Sequence, residues 1–204
     1  TYIAGLAALG DQRLHITSFG TSPEGRNLPL LVLSAHGVKT PAEARALGLP
    51  VVLVISGIHA GEVEGKEGCL MLVRDLLGGK ASLDADQILA NLTLVVVPLF
   101  NPDGNDAIAP GNRRLHLPKL TGQLGPDSGV GTRVNAAKIN LNRDYLRQEG
   151  VEMRLLQTRV CQAWEPDLTI DNHATNGSVH RFSMTYDIPH TVESGRREPI
   201  DYMR

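Results

Sequence analysis

Val51-Val-Leu-Val-Ile55, continuing into Ser56-Gly-Ile-His-Ala-Gly-Glu62, decides how this chain is read. Five consecutive apolar residues, mostly β-branched and without polar alternation, suit a strand buried on both faces of a sheet covered by helices. From Glu62 the period changes: Cys69, Leu70, Val73, Leu76 and Leu77 fall on one helical face, and Gly78-Gly79 ends the run. The spacing predicts a helix over 62–77, opened by Glu62. A strand handing over to a helix in this way puts His59 and Glu62 outside the carboxyl end of the strand, where ligands collect in α/β sheets.

Outward from this stretch the pattern repeats. Leu14 to Phe19 alternates weakly, Thr21-Ser-Pro-Glu-Gly25 reads as a turn, and Leu28 to Ser34 is strongly apolar, which together predict a hairpin at a sheet edge. Leu92 to Leu99 reads as a second buried strand. A helix is expected from Val151 to Trp164 with Val151, Leu155, Val160 and Ala163 inward, stopped by Pro166. Leu168 to Asn172 is a short strand leading into His173, and Val179 to Tyr186 reads as one more. Strands alternating with helices predict a three-layer α/β/α fold on a mixed, mostly parallel central sheet. No repeat or linker divides the 204 residues, so residues 1–204 are read as one domain. The segment from Asn101 to Asn140 departs from this order. It is rich in Gly, Pro, Asn and Arg, has no periodicity, and at that length is either functional or disordered.

Composition narrows the function classes. Hydrophobic residues make up 42% and charged residues 21%, and the net charge is −2 with no dense Lys/Arg run, which gives no footprint for nucleic acid. The longest apolar stretch, Leu92 to Phe100, is too short to span a bilayer. No signal-peptide pattern is read in these residues, but the chain starts at Thr1 rather than Met, so its natural N-terminus is expected upstream. Cys69 and Cys161 sit in predicted helices and read as buried thiols rather than a disulfide framework.

His59 and Glu62 lie three residues apart, and His173 follows another strand 111 residues beyond Glu62. Two imidazoles and one carboxylate make the ligand set of a catalytic zinc ion with a fourth position open for water. His-x-x-Glu alone is common by chance; the strand-end positions give the set its weight, against a bland reading as polar loop residues. His15, His36, His180 and His190 have no partner at ligand spacing and read as structural or surface residues. His116, in the long loop, is unassigned. Basic residues cluster as Asn112-Arg113-Arg114 and Asn140-Leu-Asn142-Arg143-Asp144. An arginine fork can hold a carboxylate bidentately, and a second arginine can stabilise an oxyanion at a metal-bound carbonyl. The alternative is solvated loop charge.

Gly57-Ile-His-Ala-Gly-Glu62 with Glu64-Gly-Lys-Glu67, then Asn101-Pro-Asp-Gly104, Asn140-Leu-Asn-Arg-Asp144 and Asp171-Asn-His-Ala-Thr-Asn-Gly177 stand in the order seen in zinc carboxypeptidases. Over residues 14–186 the chain resembles the carboxypeptidase A/B-like metallopeptidases, bacterial members in particular. The resemblance implies His59, Glu62 and His173 as ligands of one zinc ion (Zn2+) per chain. It implies Asn142 and Arg143 as the grip on a substrate's terminal carboxylate, and Arg113 or Arg114 as the oxyanion-stabilising arginine. The substrate class so implied is a peptide or acyl-amino-acid with a free carboxylate, and the setting extracytoplasmic and bacterial. A zinc-dependent N-acyl amino acid deacylase and a non-catalytic zinc- or carboxylate-binding module are the alternatives. Asp144 is expected to orient Arg143 or cap local backbone.

Three departures from the family pattern stand out. Asn140 replaces the aspartate that orients the first zinc histidine; an amide oxygen still accepts that hydrogen bond but raises the ligand's basicity less. Ala174 replaces a threonine. The family's general-base glutamate falls well beyond the third ligand, which places it after Arg204, as it does the tyrosine that closes over substrate. Glu193 and Glu198 follow His173 too soon to match the base. The chain is therefore expected to be a fragment carrying the metal and carboxylate sites.

Overall fold

In the computed structural model, residues 1–79, 84–119, 121–174, 182, 184–186 and 201 are described. Five strands form a mixed sheet: β1 (Leu14–Thr21), β2 (Asn27–Leu33), β3 (Val51–Ser56), β4 (Thr93–Val97) and β5 (Leu168–Asn172), in the spatial order β1-β2-β4-β3-β5. The β1–β2 hairpin and the β2–β4 pair are antiparallel, whereas β3 runs parallel to both β4 and β5. The parallel half of the sheet is the half that carries the site.

Strand alternation builds the two outer layers. Leu53, Ile55, Val95 and Val97 face one side and pack on Met153, Leu156, Val160 and Trp164. Val54, Leu94 and Val96 face the other and pack on α3 (Glu64–Leu77) through Cys69, Val73, Leu76 and Leu77. Short helices not anticipated from the sequence complete the layers: α1 (Tyr2–Ala7), α2 (Pro41–Leu47), α4 (Ala85–Asn91) and α5 (Pro102–Asp106). Each is no more than two turns long, too short for a periodic signal to rise above its flanks. Cys69 is buried and Cys161 half-buried, both as free thiols. Among the described residues no helix is long and apolar enough to cross a membrane.

Two expectations are corrected. Glu62 does not open the helix; it closes a turn in which its N–H donates to the His59 carbonyl at 2.9 Å, and α3 begins at Glu64. The second helix runs as α6 (Val151–Leu155), a π-helical segment (Leu156–Cys161) and α7 (Gln162–Trp164). Of the residues expected inward, Val160 is buried, Leu155 and Ala163 are partly buried against the core, and Val151 is exposed; Glu152, Met153, Leu156 and Trp164 complete the buried face. The widened π turns break the 3.6-residue projection, and a buried Glu152 cannot be foreseen from an apolar stripe. The expected strand from Val179 to Tyr186 lies mostly outside the described residues, as do His180, His190, Glu193 and Glu198.

Close packing of α3 on β5 depends on Gly65. A Cβ there would stand 2.6 Å from the Asn172 Cβ, whereas a Cβ on Gly68 in the same helix would meet nothing within 4 Å. The approach lets Asn172 Nδ2 donate to Ser56 Oγ at 3.0 Å, tying the end of β5 to the end of β3. Gly65→Ala should therefore destabilise the protein by about 1–3 kcal/mol, the usual range for overpacking. Gly68→Ala should be neutral or stabilising by up to about 1 kcal/mol through helix propensity. Urea denaturation of the two variants checks the contrast; equal effects would deny that α3 and β5 touch at Gly65.

Candidate active site

Ser56 on β3 pairs in parallel register with Asn172 on β5, so the segments leaving these strands emerge side by side. His59 and Glu62 come from the first and His173 from the second. The two imidazole rings lie 5.0 Å apart, centre to centre. One donor atom each from His59, Glu62 and His173 lies within 4.8 Å of the others, a group that can hold a metal ion.

Glu62 is the centre of the arrangement. Its Oε1 lies 2.9 Å from His59 Nδ1 and 2.6 Å from Arg113 Nη2; its Oε2 lies 3.1 Å from His173 Nδ1 and accepts from the Ala174 N–H at 2.9 Å. Residue 174 contributes only its backbone here, so alanine in place of threonine leaves this contact intact. Burial by itself would raise the Glu62 carboxyl, but the hydrogen bonds from His173, His59 and Ala174 and the Arg113 charge outweigh it. The carboxyl is held well below the usual carboxylate range.

Each histidine is oriented by an oxygen behind it. His59 Nε2 lies 3.2 Å from Asn140 Oδ1, which also accepts from the Asn142 N–H at 3.1 Å and so presents its oxygen, not its amide nitrogen, to the ring. His59 Nε2–H donates to that oxygen, and Nδ1 faces the Glu62 carboxylate. His173 Nε2 lies 3.0 Å from Asp171 Oδ2, since a residue just past the end of β5 and one two positions earlier point the same way along extended chain. Asp171 and Glu62 both favour the charged imidazole against burial and push His173 up to about 9. A His–Glu–His set with both outer ring nitrogens tied to oxygen acceptors fits a zinc site in ligand type and in ring orientation.

The long segment 101–140 and the turn that follows it supply the cations. Arg113 is nearly buried, and its Nε donates to Gln123 Oε1 at 3.2 Å while Gln123 Nε2 donates to the Gly61 carbonyl at 2.6 Å. Gly61 has to lack a side chain, since a Cβ would collide with the Arg113 Cδ and the Gly131 carbonyl. Arg114, the other member of the pair, is exposed. Arg113 takes left-handed backbone (φ 52°). Arg133, not anticipated from the sequence, places Nη1 3.3 Å from His59 Nδ1. Burial and the nearby charges of Arg113 and Arg143 disfavour its charge, but a guanidinium stays protonated. Arg143 is exposed with Nη1 donating to the Asn142 carbonyl at 2.8 Å. Asp144 accepts from the Glu149 and Gly150 N–H groups and so caps the local backbone just before α6, one of the two roles expected of it. Asp171 and Gln123 were also missed. Only Asp171 carries a sequence signal, its i, i+2 spacing to His173 on a strand. His15, His36 and His116 lie elsewhere: on β1 opposite Val32, against the Ala90 carbonyl, and against the Lys119 N–H.

Residues 1–177 match the family described as zinc carboxypeptidase. The chain belongs to that family. Among relatives of this zinc carboxypeptidase chain, carboxypeptidase D of Drosophila melanogaster is 31% identical over 160 residues, covering 76% of this chain and 10% of that protein. The crystal structure of a metallo-carboxypeptidase from Burkholderia cenocepacia shares the fold with a TM-score of 0.62 at 23% identity, over 87% of this chain and 41% of that one. A metallo-carboxypeptidase from Pseudomonas aeruginosa, solved in complex with (2-guanidinoethylmercapto)succinic acid, gives 0.61 at 23% identity, over 86% and 39%. The chain thus spans about a tenth of the curated relative and about two fifths of these solved chains.

The Asp171–His173–Glu62 line makes a pH prediction for protein stripped of metal by a chelator. An imidazole raised on folding stabilises the fold fully below its unfolded value of about 6.5, and the contribution fades as pH rises through the folded value. His173 should titrate near 9 by NMR. Asp171→Asn should bring that midpoint down toward about 6.5; an unmoved midpoint would remove Asp171 as its cause.

Proposed function

We propose that the chain carries the metal- and carboxylate-binding part of a zinc carboxypeptidase active site, within one catalytic domain, that hydrolyses the C-terminal amide bond of a peptide. The observation that carries this reading is the convergence of His59, Glu62 and His173 from two adjacent parallel strand ends, with arginines set around them. His59 Nδ1, the Glu62 carboxylate and His173 Nδ1 would hold one zinc ion per chain. Zinc in such a site polarises a carbonyl and lowers the pKa of its bound water to about 7.

The protein's own groups do the rest. Asn140 and Asp171 keep the two imidazoles turned toward Glu62. Arg143, exposed beside Asn142 and free to present its fork outward, grips the substrate's terminal carboxylate together with the Asn142 side chain. Arg113, nearly buried against Glu62, and Arg133, against His59, are the cations aimed at the triad, and they stabilise the oxyanion. Exposed Arg114 has no such aim. Among the described residues the carboxylates touching the triad are Glu62 itself and Asp171, and both are engaged with imidazoles. The reading therefore assigns the proton-accepting base to no described residue. Family membership and the carboxylate-bearing ligand of the Pseudomonas aeruginosa neighbour support a substrate with a free carboxylate. On resemblance alone, the setting is taken as extracytoplasmic.

Elemental analysis of protein purified without added metal should find about one zinc per chain, removable by chelator and restored by zinc salt. His59→Ala or His173→Ala should abolish tight binding, and either variant retaining stoichiometric zinc would overturn the ligand assignment. Arg143→Ala should leave zinc content unchanged and weaken calorimetric binding of a hippuryl dipeptide by about tenfold or more, the scale of a lost charge-assisted hydrogen bond. Unchanged affinity would take Arg143 out of the substrate site.

A further inference from the structure

Behind the triad lies a buried polar pair that the reaction does not use. Glu152 and Asn135 are 0% and 1% exposed, and Asn135 Nδ2 donates to Glu152 Oε2 at 3.0 Å. The other face of Asn135 organises a tight turn. Its Oδ1 accepts from the Ile139 N–H at 2.9 Å, its N–H donates to the Ile139 carbonyl at 3.0 Å, and its carbonyl accepts from Lys138, which takes left-handed backbone at φ 63°. Arg133 precedes this turn by two residues and Asn140 directly follows it. These are the two residues of the segment that touch His59, at Nδ1 and Nε2.

The residues just before α6 hold the segment's other end. Asp144, 1% exposed, accepts from the Glu149 and Gly150 N–H groups at 2.9 and 2.8 Å. The stretch bearing Arg133, Asn140, Asn142 and Arg143 is thus pinned fore and aft to the start of α6. A carboxylate is a poor choice if stability were the purpose. Burial raises the Glu152 carboxyl, with Asp103 and Asp144 adding to the effect, and Oε1 has no partner among the described residues. Replacing both members of such a buried polar pair by apolar groups is often neutral or stabilising, so the pair's presence argues for fixing one conformation.

We propose that Glu152 and Asn135 are positioning residues for the metal site: their buried hydrogen bond sets the turn that places Arg133 and Asn140 on His59. The inference rests on the metal-site reading above, so its test has one readout of zinc and one that needs no metal. Zinc affinity is measured by competition with a chromophoric chelator, alongside thermal melting. Glu152→Leu leaves the buried Asn135 Nδ2 without its acceptor, so it should melt lower than wild type and bind zinc about tenfold more weakly, the scale on which groups supporting metal ligands act. Glu152→Gln keeps the acceptor and should keep wild-type affinity. Asn135→Asp replaces the donor and should lose affinity, and adding Glu152→Gln, which returns a donor from the opposite side, should restore it. This exchange decides the matter even where Glu152→Leu does not fold.

The metal-free readout is the His59 Nε2–H resonance, protected by Asn140. It should persist in Glu152→Gln and in the double variant and exchange rapidly in Asn135→Asp. Wild-type zinc affinity and a protected His59 N–H in Glu152→Leu, or a double variant no better than Asn135→Asp, would overturn the proposal. Wild-type protein that refuses zinc would overturn the metal-site reading instead, and the resonance would still judge the positioning pair.

Discussion

A carboxylate at 4% exposure has to be surrounded by donors, and Glu62 organises the structure on that condition. Its two oxygens draw His59 from the turn after β3, His173 and the Ala174 N–H from the end of β5, and Arg113 from the long segment before the second helix. Of these only His59 is near Glu62 in sequence. Desolvating the anion is tolerable only when all arrive together, so the sheet register, the Gly65 contact and the fold of the long segment serve one requirement. Gly61 follows from the same demand, since the Arg113 stem occupies the space its side chain would need.

The aperiodic stretch from Asn101 onward is ordered by side-chain amides and carboxylates where repeating backbone bonds are missing. Asn101 Oδ1 accepts from the Gly104 N–H, Asp103 accepts from Ser22 Oγ at 2.6 Å and from Arg26, Gln123 joins Arg113 to Gly61, and Asn135 reaches Glu152. Irregular backbone has polar groups that must be paired locally, and short amide side chains do so without imposing a period. That is why the segment can deliver several arginines to one place, as loops on a rigid scaffold do at functional sites. The Asn101-Pro-Asp-Gly104 motif acts in this way as a clamp on the β1–β2 turn, not as part of the chemistry.

Where the sequence was legible, the signal was local. The run Val51 to Ile55 marks β3, Leu168 to Asn172 marks β5, and the stripe through Cys69, Val73 and Leu76 marks α3, because burial on one or two faces writes a period into neighbouring residues. His59, Glu62 and His173 stood out because all three follow such elements. The second helix misled where its period did: a π-helical segment shifted the inward face, and Glu152 went inward for a polar partner 17 residues away.

The sequence by itself determined the α/β class, the strand ends that carry the triad, and through ordered motifs the family. Only the tertiary structure decided that β3 and β5 are neighbours, that Arg113 turns in while Arg114 turns out, and that Arg133 and Asp171 join the site. The division has a physical cause. Periodicity reports whether a residue is buried, which its near neighbours share. The partner of a buried charge is settled by chain closure over many residues, as Arg113 meets Glu62 across 51 positions and Asn135 meets Glu152 across 17.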